Sequence, residues 1–343
     1  MDEVPVIDIA PLATDRDDPG IDHVAWAIDR ACRDLGFFVV SGHGVSISLL
    51  DDLDRAARTF FARSETEKAD IAMARGGRAW RGWFPEGGEL TSGRPDHKEG
   101  IYFGTELEAD DPLVVAGTPL HGPNLFPAGV PELRPAVHAW MAAMTTLGHR
   151  LARGLAVGLG LDADWFHRHL TADPTVLFRI FRYPATPVDD PGWGVAEHTD
   201  YGLLTILAHD GQPGLEVHSR GWVPVVAPRD TFVVNLGDML ERMTGGRYRS
   251  TPHRVRHGAP ADTRTADDRL SFPFFFDPAW DADVAPVPVR PTAVAAAEAG
   301  PPRNHDRQPT WDGHDVHGWS GTYGDYLTTK VARVFPDLGR DVL

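Results

Sequence analysis

Cysteine is almost absent. Cys32 is the single one in the chain, so no internal disulfide can form and a four-cysteine zinc site is excluded. A reducing compartment is the expectation. Positive charge is scarce as well: 33 Lys and Arg face 49 Asp and Glu, a balance of 33 − 49 = −16. Such a field repels phosphate backbones, which argues against a nucleic-acid partner. Long apolar runs are missing. A membrane-spanning helix needs ~18 or more uninterrupted apolar residues, and the segment from Leu147 to Leu161 is broken by His149, Arg150, Arg153 and several glycines. The opening MDEVPVIDIAPL carries acids where an export signal carries positive charge, with no long apolar stretch behind them. Internal repeats and low-complexity runs are absent too. The expectation is a cytoplasmic protein that does not enter a membrane, with no obligate protein partner evident.

What is present is ordinary globular material: 343 residues, 42% hydrophobic and 24% charged. Val4 to Ile9 and Gly36 to Val40 read as strands, and Val24 to Leu35 and Ser46 to Ala62 as helices. Pro131 to Leu159 has apolar residues at helical spacing and predicts the longest helix, with Pro131 and Pro135 near its start, where proline is tolerated. From Thr175 to Phe276 the pattern becomes short β-rich runs separated by turn signals, which indicates an antiparallel sandwich or barrel. Gly321 to Phe335 predicts a closing helix. The expected organisation is an N-terminal region over 1–125 with helices, short strands and a substrate-side loop. A β core preceded by the long helix follows over 126–285, and a tail with a helix over 286–343. The boundary is too entangled for independent domains.

His198-Thr199-Asp200 precedes a β run, and residues two apart in a strand share a face, so one imidazole and one carboxylate converge. His253 opens another strand that could bring a third ligand alongside. Two histidines and a carboxylate form the facial arrangement that leaves positions open on non-haem Fe(II) for a bidentate co-substrate and dioxygen. The chain has 16 histidines, however, and a lone His-x-Asp triplet is compatible with surface or core residues. Arg269-Leu270-Ser271 adds context. It places a guanidinium and a hydroxyl on one strand face at the mouth of an apolar run, where an unpaired charge is costly and a carboxylate ligand would satisfy it.

The runs Gly36-Phe37-Phe38-Val39-Val40-Ser41-Gly42-His43-Gly44-Val45, His198-Thr199-Asp200-Tyr201-Gly202-Leu203-Leu204-Thr205, Asn235-Leu236-Gly237-Asp238, Ser250-Thr251-Pro252-His253-Arg254-Val255 and Arg269-Leu270-Ser271 occur in one order. In that order they resemble the Fe(II)/2-oxoglutarate oxygenases related to isopenicillin N synthase. The resemblance runs from about Val4 to Pro278. It implies a mainly β fold with flanking helices: a distorted double-stranded β-helix, or jelly roll, with an α/β N-terminal region. It also implies that His198, Asp200 and His253 hold Fe(II), that Arg269 and Ser271 bind the distal carboxylate of 2-oxoglutarate with Tyr183 assisting, and that O2 is consumed while a small-molecule substrate is oxidised. Phe181 stands where relatives often have asparagine, and the segment between His253 and Arg269 is longer than usual, with Arg264 as a lesser alternative anchor because Ala266 lacks the hydroxyl. The stretch Trp80 to Asp96 looks like that of bacterial and fungal members that include ethylene-forming enzymes, where positions matching Glu89, Thr91 and Tyr201 help bind a guanidino amino acid. Trp83 joins them as a tentative substrate contact.

Other residues are set aside. Asn235 and Asp238 are read as satisfying backbone donors at a strand-to-helix junction. Gly42 and Gly44 mark a tight turn; His43, His209 and His218 have no paired ligand at useful spacing; Cys32 reads as a buried, inert thiol. Because relatives that halogenate lack this carboxylate, the resemblance implies, from the presence of Asp200, hydroxylation, desaturation or cyclisation. The alternatives are an iron oxidase of the same fold that does not use 2-oxoglutarate, a silent small-molecule-binding protein, and a hydrolytic zinc site, which leaves Arg269 poorly explained.

Overall fold

The computed structural model describes residues 3–13, 20–91, 93–185, 193–256, 268–290 and 316–334. The chain opens with β1 (Val6–Asp8) lying parallel to β2 (Phe37–Ser41), joined through α1 (Gly20–Asp34). β2 is aromatic and β-branched, suits a pleated sheet, and is buried along nearly all its length. α2 (Ile47–Phe61) starts where the Ser46 hydroxyl accepts the Ser48 N–H, and it buries Leu50, Leu53, Ala57 and Phe60, one stripe at helical spacing. A short α3 (Glu65–Lys68) carries a capping box between Ser64 and Glu67.

Four strands follow, the first three inside the stretch Trp80 to Asp96 that reads from sequence as a substrate-side loop: β3 (Gly82–Phe84), the hairpin β4 (Leu90–Thr91) and β5 (Arg94–Pro95), and then β6 (Glu99–Gly104). After α4 (Pro112–Val115) comes α5 (Leu133–Gly158), the longest helix, as its periodicity predicts. It packs on α1 and α2 and reaches the sheet at Gly148, where a Cβ would stand 2.4 Å from the Phe276 ring. α6 (Trp165–His169) leads into the β core: β7 (Thr175–Tyr183), β8 (Trp193–His198), β9 (Leu204–His209), β10 (Leu215–His218), β11 (Trp222–Pro224), β12 (Phe232–Leu236), α7 (Asp238–Met243), β13 (His253–Arg256) and β14 (Arg269–Asp277). α8 (Tyr323–Val334) closes the described chain.

The strands form an eight-stranded sheet ordered β1-β2-β12-β9-β14-β7-β6-β3 and a four-stranded sheet ordered β11-β10-β13-β8. This is the expected jelly roll: mainly β, with helices packed outside it. Because β2 pairs with β12, and β6 with β7, strands from the N-terminal region extend the large sheet on both sides. No helix among the described residues is long and apolar enough to cross a membrane.

Candidate functional site

Two strands of the smaller sheet set the centre of the site. β8 ends at His198 and β13 begins at His253, and the two residues pair directly across the sheet. Their rings lie 4.2 Å apart, centroid to centroid. Asp200 stands two residues beyond the end of β8, so its convergence with His198 comes from the bend after the strand rather than from strand alternation, which corrects the sequence argument. Asp200 Oδ1 lies 3.8 Å from His198 Nε2 and 3.9 Å from His253 Nε2. One donor atom from each of the three side chains falls within 4.8 Å of the others, the spacing of a metal's ligands.

The surroundings aim these donors. His198 Nδ1 meets the Ala196 carbonyl at 2.8 Å and His253 Nδ1 meets the Thr251 carbonyl at 3.1 Å. Each Nδ1 therefore carries the proton and each Nε2 turns a lone pair toward Asp200, the tautomer a metal requires. Burial, then the neighbouring His253, holds the His198 ring neutral, with its pKa pushed down to about 3. Burial alone would raise the Asp200 carboxyl, but the two imidazoles and the donors around it keep it below the usual carboxylate range. Those donors are Thr205 Oγ1 at 2.5 Å and Asn235 Nδ2 at 2.7 Å, both on Oδ2, leaving Oδ1 toward the imidazoles. Asn235 is therefore an orienting partner of Asp200 and not the backbone cap expected from sequence. The cap position of α7 is Gly237, with no side-chain bond.

Arg269 opens β14 opposite Tyr183 of β7, and Ser271 follows two residues on, on the same face. All three line a cavity of about 100 Å³ together with His198, Asp200 and His253. The Arg269 guanidinium is buried, sits 4.8 Å above the Tyr183 ring, and leaves Nε and Nη1 without a hydrogen-bond partner. A buried guanidinium in that state is completed by an anion from the cavity. Its backbone is clamped from both sides. Asp268 takes Arg182 Nε at 2.6 Å and the Ala185 N–H at 2.9 Å, while Asp210 takes the Leu270 N–H at 2.7 Å and Arg58 at 3.0 Å. Arg264, Ala266 and most of the long segment before Arg269 lie outside the described residues.

Of the tentative substrate contacts, Glu89, Thr91 and Tyr201 reach the cavity wall and Trp83 does not. The Trp83 indole instead donates to Glu99 at 2.8 Å, in a buried cluster with Lys68. Glu89 is already engaged: Lys98 Nζ lies 2.9 Å from Oε2 and the Tyr102 hydroxyl donates to Oε1. Thr91 donates to Asp96 at 2.7 Å, and Asp96 also pairs with Lys98. The sequence reading missed Lys98 and Arg179, two buried or nearly buried cations that line the cavity. A charge inside an apolar strand run such as Leu177-Phe178-Arg179-Ile180-Phe181 was the available signal.

The sequence reading gave α8 as a closing helix but not its place at the cavity, where Tyr323, Leu327 and Val334 form part of the wall. The helix is fastened at two buried carboxyls. Tyr323 donates to Asp277 Oδ2 at 2.6 Å, and Tyr326 donates to Asp238 Oδ2 at 3.3 Å. Burial raises both carboxyls to about 7. Asp277 also accepts the Leu203 N–H at 2.8 Å, tight under Gly202, where a Cβ would stand 1.6 Å from Oδ1. Gly202→Ala is expected to destabilise the protein by about 1–3 kcal/mol, the usual cost of overpacking. Thermal melting at fixed pH checks this, and an unchanged midpoint would contradict the close approach.

Comparison with known proteins points one way. The sequence model of the non-haem dioxygenase in morphine synthesis N-terminal family matches residues 4–129, and that of the 2OG-Fe(II) oxygenase superfamily matches residues 174–278. A Dictyostelium discoideum protein named as an iron/ascorbate oxidoreductase is 41% identical, across 100% of this chain and 98% of its own. A homoarginine-6-hydroxylase of Glycine max is 31% identical over 98% of each chain. Among solved structures, a 2OG-Fe(II) oxygenase family protein from Caulobacter crescentus superimposes with a TM-score of 0.77 at 25% identity, covering 97% of this chain and 100% of that one.

Proposed function

Since the chain belongs to the 2OG-Fe(II) oxygenase superfamily, and is a non-haem Fe(II)- and 2-oxoglutarate-dependent dioxygenase acting on a small molecule, we propose that His198, Asp200 and His253 hold its iron. Arg269, with Ser271 and Tyr183, holds the far carboxylate of 2-oxoglutarate. The observation that carries this reading is the pairing of three convergent, metal-ready donors with a buried guanidinium whose Nε and Nη1 are unpaired, in one cavity. Iron, when bound, supplies the redox chemistry in which O2 and 2-oxoglutarate are consumed, succinate and CO2 are released, and a C–H bond of the substrate is oxidised.

This chain's own residues do the rest. Asn235 and Thr205 fix the Asp200 carboxylate so that Oδ1 faces the metal position. The two carbonyl-bound imidazoles keep Nε2 free of protons for it. Arg269 sets the depth of the co-substrate by taking its distal end. Tyr201 and the α8 residues Tyr323 and Leu327 wall the cavity and exclude water, which keeps the oxidising event on the substrate. Glu89, Thr91 and Tyr201 are the substrate-side contacts in this reading, which takes the cytoplasm as the place of action.

Titration calorimetry with Mn(II) standing in for iron tests the reading. 2-Oxoglutarate is expected to bind one site per chain, and 2-oxopentanoate, the same length without the distal carboxylate, about ten- to a hundredfold more weakly. Equal affinity of the two acids would remove Arg269 from its role.

A further inference from the structure

Arg179 is a cavity-lining cation for which the reading above has no use. It sits in β7 between Phe178 and Ile180, both fully buried, and its side chain is 15% exposed. Two aromatic rings pack against the guanidinium, Tyr102 at 4.2 Å and Phe275 at 4.7 Å from its central carbon. Only its edge can meet an acceptor.

The protein does not satisfy that edge. The nearest acid, Glu89, has Oε1 3.6 Å from Nη1, beyond hydrogen-bond length, and its carboxylate already takes the Tyr102 hydroxyl and pairs with Lys98. Nε makes no hydrogen bond. On the far side, Arg179 borders a small recess walled in part by Trp80, Arg81 and Leu120, with no acidic side chain in its lining. Of the other acids lining the main cavity, Asp200 belongs to the metal position and Asp277 is bonded to Tyr323 and Leu203. Lys98 pairs with both Glu89 and Asp96, and Glu89, which it thus shares with Arg179, is the one acid among the described residues within ion-pair distance of the Arg179 guanidinium. Burial works against the charge on Arg179, yet Tyr102 and Glu89 hold its pKa raised, so the guanidinium stays protonated.

We propose that Arg179 is a specificity-determining residue that receives a carboxylate of the primary substrate, so the substrate class is a small carboxylic acid bound beside 2-oxoglutarate. The inference rests on the assignment of Arg269 to the co-substrate, which leaves Arg179 for a second anion. The rings of Tyr102 and Phe275 packed against the guanidinium limit its movement, so the acid is held at one place in the cavity that also holds the metal position.

The test uses the full chain with Mn(II) and saturating 2-oxoglutarate, so that Arg269 is occupied. Phenylacetate and hexanoate are titrated calorimetrically against their uncharged amides. The acids are expected to bind about ten- to a hundredfold more tightly than the amides, and Arg179→Gln is expected to reduce that preference to about twofold or less. Acids and amides binding alike, no acid binding at millimolar concentration, or a preference that survives in Arg179→Gln would each overturn the proposal. The wild-type comparison stands even if the variant folds poorly. Binding of 2-oxoglutarate is measured first: its failure counts against the Arg269 assignment, whereas a missing acid preference with 2-oxoglutarate bound counts against Arg179 alone.

Discussion

Asp200→Ala is expected to abolish stable iron loading and coupled turnover together. The substitution removes the one anionic donor among three and leaves two imidazoles, whose Nε2 atoms lie 3.8 and 3.9 Å from the lost oxygen. It also strands the donors Thr205 Oγ1 and Asn235 Nδ2. The partners of a ligand typically contribute ~10–100-fold in metal affinity, so Asn235→Ala sets a lower rung and Asp200→Ala must fall below it. Metal content after reconstitution and gel filtration, read beside succinate formation, gives the order wild type, then Asn235→Ala, then Asp200→Ala. Iron retained at wild-type occupancy in Asp200→Ala would remove that carboxylate from the ligand set. Circular dichroism separates loss of metal from loss of fold.

The second large effect lies at Arg269. Truncating one partner of a buried, hydrogen-bonded charge pair costs ~2–5 kcal/mol, so Arg269→Ala is expected to weaken 2-oxoglutarate binding by about two orders of magnitude or more. Arg269→Lys keeps the charge and loses the two-pronged geometry, and it should fall between wild type and alanine. The discriminating readout is the pair of acids. In wild type the distal carboxylate separates 2-oxoglutarate from 2-oxopentanoate, and in Arg269→Ala that separation should collapse. Iron binding should survive in Arg269→Ala, because Arg269 touches none of the three metal-facing side chains through a hydrogen bond or ion pair. A parallel loss of iron would mean that the variant has disturbed the whole site.

Much of this site was legible in the sequence because its parts are local. His198 and Asp200 are two residues apart, His253 opens a short β run, and Arg269 is a charge at the mouth of seven largely apolar residues. Helices α1, α2 and α5 follow from apolar spacing, since each buries one stripe against the sheet or a neighbouring helix. What escaped depends on partners distant in the chain. β3 to β6 lie in a segment rich in glycine and proline, and their pairing is set by β7 and by each other. Asn235 looked like a cap because it precedes a helix, whereas its amide is fixed by Asp200, 35 residues earlier. The closing helix was visible as a helix, but its place on the cavity is decided by Asp277 and Asp238, 46 and 88 residues away from Tyr323 and Tyr326. Trp83 was misplaced for a similar reason: an aromatic in a polar loop resembles a substrate contact until its indole is found on Glu99.

The most direct test of the central claim is optical. The wild-type chain is reconstituted with Fe(II) under strict exclusion of oxygen, 2-oxoglutarate is added, and the visible spectrum is watched for the weak metal-to-ligand charge-transfer band of a chelated 2-oxo acid. The account predicts that the band appears in wild type and is absent in Asp200→Ala. In Arg269→Ala it should appear only at about a hundredfold higher 2-oxoglutarate, following the affinity lost with the buried charge pair. Iron that binds without producing the band, or a band of undiminished strength in Asp200→Ala at the same concentrations, would contradict it.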